Sequence, residues 1–431
     1  MNVPLDRLYD FLFDQAQRDF IMYRWYPHGS KKLQDLSMPN ASQDSWYDLH
    51  CKPVAIFHDQ EPVNFSQYSM QDFKDFWRQQ LGEQAKNPRL LEQRCTSRLR
   101  SFFLYNAFDL GILCHSELNS TDIKAYREHG FVDAYYWSHA VIARDWFRYA
   151  EHDKKLANKH SQALFLIYNR AWQGTREYRL KFTDMVVEHN LVAASRMKFQ
   201  PLDNGCDYRD HVFSNAKFKP SNSNLETYFE KNDTMSSASA DYNSEDYNST
   251  EIEIVLETVF DTEKIHLTEK TLRPIACGQP FILMSAPDSL KTLQHYGFKT
   301  FDPWINETYD GIRDPLQRMN AVVQEMQRIN QLSAADKQKM FLQLRSIAAH
   351  NRQLFFKHSW MQSIVNEFRT NFATAVDQVL HGPKGFYYKQ LGKILAYTNA
   401  NLPISKYYKK PLPGVRSQAE IDHYLKLIDF L

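Results

Sequence analysis

Short apolar runs alternate with polar turns and helical stretches along the first two thirds of the chain. V-A-I-F at 54–57 reads as a strand, broken by the polar segment 58–62. L-G-I-L-C at 110–114 reads as a second, leading through His115 and Glu117 into a helix over 121–128 that Gly130 closes. A-Y-Y-W at 134–137 is a third, followed by Ser138, His139 and a helix running through Phe147. Strand, polar turn and helix in repetition are the pattern of a parallel α/β sheet. The charged segment 150–159 has no apolar periodicity, which places a boundary there and closes an amino-terminal α/β domain over 1–157.

A second α/β domain is expected over 158–330. It opens with A-L-F-L-I-Y at 163–168, the strongest strand signal in the chain, then Asn169 and Arg170, a turn at Gly174 and a helix over 176–189. Residues 221–250 are rich in Ser, Asn and Asp, and 225–263 holds eleven acids and one base. That composition predicts a solvated insertion. A buried strand follows at 251–256, and Thr268 is placed to cap a helix over 269–277, with Gly278 just past its end. Further elements are a strand at 280–284, a helix over 288–296 ending at Gly297, and a strand at 298–301. From 314 to about 380 the pattern is helical, so 331–431 reads as a helical carboxyl-terminal extension with a basic, aromatic end.

Charge and composition remove several classes. Lys and Arg number 52 against 51 Asp and Glu, a formal net charge of +1. A surface that traps polyanions everywhere is excluded, because non-specific nucleic-acid binding rests on excess Lys and Arg. The five cysteines (Cys51, Cys95, Cys114, Cys206, Cys277) include no C-x-x-C pair, so neither a disulfide framework nor a cysteine zinc site is expected. No apolar run approaches a spanning length, and 1–20 is acidic and amphipathic, unlike a secretory signal; the expected location is the cytoplasm. With 13 glycines there is no G-x-x-x-x-G-K-[ST] and no G-x-G-x-x-G. H-E-x-x-H and D-x-D are absent as well, and no metal is expected.

The chemistry concentrates between the strand ending at Glu257 and the helix opening at Glu269 and Lys270. A helix N-terminus presents unsatisfied N–H groups and about half a positive charge, which favours phosphate. Lys270 adds a full charge, and Glu257 and Glu269 can accept hydrogen bonds from ribose or sugar hydroxyls. The plainer alternative makes Glu269 a first-turn dipole partner and Lys270 a solvated side chain.

Leu256-Glu257-Thr258, the block His266-Leu267-Thr268-Glu269-Lys270, the apolar helix, Gly278 and the P-F-I-L strand together resemble the donor-binding half of the α-1,3-fucosyltransferase family. More broadly they resemble sugar-nucleotide transferases of the two-Rossmann GT-B architecture. The likeness covers 163–310. Thr258 stands where the family has asparagine, and Leu267 where it has an aromatic residue. The resemblance implies two Rossmann-like domains facing across a cleft, a nucleotide-diphosphate sugar (a GDP-sugar is one candidate) as donor substrate, and no cofactor. It further implies Glu269 on the donor's hydroxyls, Lys270 on its diphosphate, and an arginine after the first strand of this half on the same phosphates.

Arg170, Arg176 and Arg179 are the arginines available. Arg170 holds the strand-end position where ligands meet open α/β sheets, and Arg176 opens the next helix. Surface pairing with Glu177 and Asp184 is their alternative role. An inverting transfer also needs a base for the acceptor hydroxyl. Asp59 and Glu61 follow the 54–57 strand and can serve, or can cap the turn before Pro62; Glu117 and His139 are further candidates.

Between Asp377 and Glu420 there is no acid, while Lys384, Lys389, Lys393, Lys406, Lys409, Lys410 and Arg416 are present among tyrosines. Segment 384–416 could meet nucleic acid, an anionic membrane surface, or the acidic 225–263 stretch. The expectation is a metal-independent, inverting glycosyltransferase that moves a sugar to a hydroxyl acceptor such as a glycan. Its rivals are a DNA-directed base-modifying glycosyltransferase of viral type, a non-catalytic nucleotide- or glycan-binding protein, and a sugar-nucleotide epimerase.

Overall fold

The computed structural model describes residues 21–24, 54–63, 112–128, 132–231 and 239–381. Segment 384–416 therefore lies outside the described residues. The protein is α/β, with two separate parallel sheets, and the chain divides into two compact units. In described residues, one holds 21–24, 54–63, 112–116, 121–128, 132–136 and 365–381; the other holds 117–120 and 137–364 apart from 232–238.

The first unit carries β1 (Ile21–Arg24), β2 (Val54–Phe57), β3 (Ile112–His115), helix α1 (Thr121–Glu128) and β4 (Val132–Tyr135). Its sheet has the order β1-β2-β3-β4, all parallel. Ile112, Leu113 and Cys114 are wholly buried, as expected of parallel strands covered on both faces. Phe57, Tyr136 and Phe368 pack edge-on or tilted against one another, with the Tyr136 and Phe368 ring centres 4.9 Å apart. Asp133 receives a guanidinium fork from Arg127 (2.6 and 2.7 Å) and lies 2.9 Å from His115 Nε2.

The second unit begins with α2 (Ser138–Trp146), β5 (Ala163–Asn169), α3 (Tyr178–Glu188) and β6 (Ser195–Phe199). A two-residue hairpin, β7 (Leu202–Asp203) and β8 (Cys206–Asp207), precedes β9 (Glu230–Lys231), α4 (Ser244–Asn248) and β10 (Thr250–Leu256). Then come α5 (Glu269–Cys277), β11 (Phe281–Met284), α6 (Ser289–His295), α7 (Pro315–Gln331), α8 (Ala334–Phe356) and α9 (His358–His381). The unit boundary cuts α9 after Ile364. The sheet order is β11-β10-β5-β6-β9, again parallel. From β5 the chain moves outward to β6, and from β10 it moves the other way to β11. The crevice between the carboxyl ends of β5 and β10 is thus the topological switch point, where ligands bind sheets of this kind.

β10 is buried at all seven positions although it reads T-E-I-E-I-V-L. Period two explains this: Ile252 and Ile254 face one side, Glu251 and Glu253 the other. Each acid has a partner there. Arg345 donates to both oxygens of Glu251 (2.7 and 2.8 Å), while Arg273 (2.7 Å) and Tyr247 (2.6 Å) donate to Glu253.

Several expectations change. The insertion over 221–250 is not simply solvated: Asp246, Tyr247 and Asn248 are buried. Asp246 accepts from Tyr168 and Lys198 (2.6 Å each) and pairs with Arg196 at 3.0 Å. Its acidity answers bases on β6. Residues 150–159 lie inside the second unit, where Lys159 donates to Tyr247 O and Gln279 Oε1 at 2.7 Å. Residues 298–301 are buried at Phe298 and Phe301 but form no strand. Their backbone donors meet side chains instead, Lys299 N on Asn351 and Phe301 N on Glu307. Among the described residues no helix is long and apolar enough to cross a membrane.

The first turn of α6 yields a pH prediction. Both oxygens of Asp310 accept from Leu290 N, at 3.1 and 3.2 Å. Burial pushes this carboxyl up to about 6, outweighing the backbone bonds that favour its ionised form. A raised carboxyl binds more protons in the folded state, so it favours folding at low pH, and that stability is lost as pH rises through 4 to 6. The loss should be about 2–3 kcal/mol at one pKa unit per ~1.4 kcal/mol. Asp310→Asn is expected to remove that slope from urea-denaturation free energies measured between pH 4 and 7.

Candidate functional site

The carboxyl end of β10 and the start of α5 form the best-defined polar cluster at the switch point. Thr268 is extended and caps α5, its hydroxyl accepting from Lys270 N. Gly278 closes the helix at φ +70°, the left-handed conformation that favours glycine, and Gln279 N returns to Pro274 O at 2.9 Å. The sequence signals for this helix are met at both ends.

Glu257 sits behind that cap, wholly buried. Its Oε1 accepts from Thr268 N (2.9 Å), Thr271 N (3.3 Å) and Thr271 Oγ1 (2.5 Å). Its Oε2 accepts from Thr268 Oγ1 (2.7 Å) and Thr258 N (3.1 Å). An ionised carboxylate has roughly four lone-pair sites. Glu257 is saturated by its own loop and helix, so it has no lone pair to offer a ligand and instead fixes the first turn of α5. The T-x-x-T spacing of Thr268 and Thr271 was the available sign of this role.

The loop after β5 is tied to the same turn. Thr175 Oγ1 donates to Thr258 O and Tyr178 Oη to Glu257 O, both at 2.7 Å. Arg179 is buried and donates to Ala171 O (2.6 Å), Leu256 O (2.7 Å) and Glu257 O (2.9 Å). Of the three candidate arginines it is the one built into the wall. Arg170 and Arg176 are half-buried on the connecting loop, which Asp203 holds by accepting from Trp172 N and Gln173 N at 2.8 Å each. Glu177 and Asp184, expected to pair with these arginines, have other partners. Glu177 accepts from Ser214 N and Asn215 N and lies 2.8 Å from His211 Nε2. Asp184 accepts from Lys181 and from Ser221 N and Asn222 N.

Glu269 opens α5 as a nearly buried carboxylate between two basic groups. Lys270 Nζ lies 2.8 Å from its Oε1, and His139 Nδ1, on α2, lies 3.2 Å from its Oε2. Burial alone would raise the Glu269 carboxyl; Lys270 and His139 outweigh it and hold the group well below the usual carboxylate range. Lys270 also reaches Thr258 Oγ1 (3.4 Å) and Thr268 Oγ1 (3.3 Å). The His266 ring stands edge-on to His139 at 5.1 Å. Nearby, Leu118 and Ile265 form an antiparallel bridge, with Glu117 and Lys264 paired at 3.3 Å. Glu117 is thus a buried ion-pair partner, and His139 is a partner of Glu269.

In the first unit the candidate bases differ in environment. Asp59 is wholly buried and accepts from the Tyr136 hydroxyl, and its carbonyl accepts from Ser116 Oγ at 2.7 Å. Glu61 is only half-buried. Among the described residues, no group of three or more His, Cys, Asp or Glu side chains is placed to share a metal ion.

Compared with family models, with curated proteins and with solved structures, the chain matches none.

Proposed function

We propose that the protein is an inverting glycosyltransferase that uses a nucleotide-diphosphate sugar and needs no metal, its two units being the acceptor and donor halves of a GT-B enzyme. The observation that carries this reading is the Glu269–Lys270 pair at the N-terminus of α5, beside the switch point of a parallel sheet. The N–H groups there and the Lys270 ammonium would hold the diphosphate, with Arg170 or Arg176 from the loop that Thr175 ties to Thr258. Glu269 would accept from a ribose or sugar hydroxyl.

In the transfer, a base takes the proton of the acceptor hydroxyl as its oxygen bonds to the anomeric carbon. The bond from that carbon to the diphosphate oxygen breaks, and the diphosphate leaves with the electron pair. Stabilising the charge that develops on the leaving group is commonly the largest catalytic contribution. Glu61 suits the base better than Asp59, whose carboxylate is buried on Tyr136. A glycan hydroxyl is the acceptor this chemistry suits.

A thermal-shift screen against GDP, UDP, ADP, CDP and TDP, with and without their sugars, tests the reading. A ligand at about 100 times its dissociation constant should add about 2.7 kcal/mol to stability. One nucleotide is expected to stabilise strongly; no shift with any of them would overturn the donor site.

A further inference from the structure

The switch point has a second helix end besides that of α5, on the β5 side. There the turn Gly174–Arg176 leads into α3, and no side chain caps either the turn or the helix. The first N–H groups of such a stretch have no partner within the helix. Gly174 and Thr175 are exposed, and nothing lies within 4 Å of where a side chain on Gly174 would begin. The φ of Gly174, +64°, is left-handed and suits glycine. Glu177, the acid at this end, is turned to the 211–215 loop, where Ser214 N and Asn215 N donate to it at 2.8 and 3.1 Å.

An open helix end alone does not define a ligand; the buried charge beside it does more. Arg179, on the first turn of α3, is 3% exposed, and its Nε is buried without a hydrogen-bond partner. Its other two nitrogens donate only to carbonyls: Ala171 O in the loop after β5, and Leu256 O and Glu257 O at the end of β10. The guanidinium thus lies between the two strand ends of the switch point, and no carboxylate pairs with it. Buried charges are ordinarily paired. Arg273 on α5 is buried too and follows that rule, with Glu253 at 2.7 Å. Arg318 has carbonyls for partners, but the acids Asp310, Glu263 and Asp261 offset its charge. At Arg179 burial disfavours the charged form, and the like charge of Arg176 works in the same direction, against the Glu257 carboxylate.

We propose that Arg179 is the built-in counter-charge of a phosphate lodged on the Gly174–Arg176 turn. In the setting of the donor site this is the second phosphate position beside Lys270; that identification rests on the donor-site reading above, whereas the phosphate subsite itself does not. Arg179 is a positioning residue here. Its bonds fix the two strand ends, and its charge favours an oxyanion on N–H groups that it does not itself supply. In buried surroundings water screens such a charge little, so it acts across the turn without touching the ligand.

Inorganic pyrophosphate is the probe, titrated by calorimetry into the full chain in phosphate-free buffer, with backbone hydrogen exchange followed over 170–180 in parallel. Pyrophosphate is expected to bind and to slow exchange at 174–176. Arg179→Met, which keeps length and apolar packing but no charge, should bind it at least about tenfold more weakly. Arg179→Lys, which keeps the charge and loses the fork, should stay within about threefold of the wild type. A merely structural arginine gives a different pattern, with the lysine variant impaired as much as the methionine variant. That pattern, equal affinity in all three proteins, no binding, or binding without slowed exchange at 174–176 would each overturn the subsite. The exchange measurement on the wild type decides if a variant fails to fold. The nucleotides of the thermal-shift screen separate the two readings. A stabilising nucleotide diphosphate that leaves exchange at 174–176 unchanged overturns the subsite and leaves the donor site at α5 standing. Protection by pyrophosphate with no response to any nucleotide keeps the subsite and overturns the donor site.

Discussion

If the protein is the glycosyltransferase proposed above, Lys270→Ala is expected to lower sugar transfer by about 10²–10³-fold, the usual cost of removing one preorganised group from a developing anion. Stability should barely change. The side chain is 21% exposed, and ion pairs in contact with solvent contribute only about 0–1 kcal/mol. Glu269 keeps His139 as a neighbour on its other oxygen, which limits what the deletion strands. The thermal midpoint without ligand should therefore stay near that of the wild type, while the stabilisation by nucleotide disappears. Lys270→Arg restores the charge, and is expected to recover binding better than turnover because the guanidinium fork cannot occupy the same point. Full turnover in Lys270→Ala, or an unfolded variant, would move Lys270 out of the site and into the supporting structure.

The part of this site that was legible in the sequence is the part built from neighbours in the chain. Thr268 and Gly278 announce both ends of α5, because caps are satisfied within a few residues and leave a local mark. The strand expected over 163–168 was visible as an apolar run, and the one over 251–256 by its I-V-L tail, for a similar reason. β6 was missed because S-R-M-K-F buries only Met197 and Phe199, while Arg196 and Lys198 answer Asp246 some fifty residues later. That partner cannot be seen from β6 alone. The same distance hid the true surroundings of Asp246, whose segment looked like solvated loop. Residues 298–301 failed in the opposite sense. Their apolar side chains are buried as a strand's would be, but Asn351 and Glu307 take the backbone donors that a neighbouring strand would have used. His139 could be named as a candidate from its place after a strand; its link to Glu269 joins residues 130 apart and needed the fold.

Glu257→Ala is expected to be the most destabilising single change at this site, by at least about 4 kcal/mol in urea denaturation. The carboxylate accepts from three backbone N–H groups and two threonine hydroxyls, all in buried surroundings. Thr271 N keeps its bond to Thr268 O at 3.2 Å; each of the other four donors, left unsatisfied, costs about 1–3 kcal/mol, and water entering the cavity would recover only part of that sum. Native proteins hold about 5–15 kcal/mol in total, so the variant should sit at the edge of unfolding. Glu257→Gln tests the same account more gently. The amide keeps one acceptor oxygen but turns an NH2 toward donors on the other side, so an intermediate loss is expected. A direct contact between Glu257 and a donor hydroxyl would give a different result: Glu257→Ala would fold normally and lose only affinity for the nucleotide sugar. The two outcomes separate a residue that touches the ligand from one that builds the turn presenting Glu269 and Lys270 to it, and the five hydrogen bonds favour the builder.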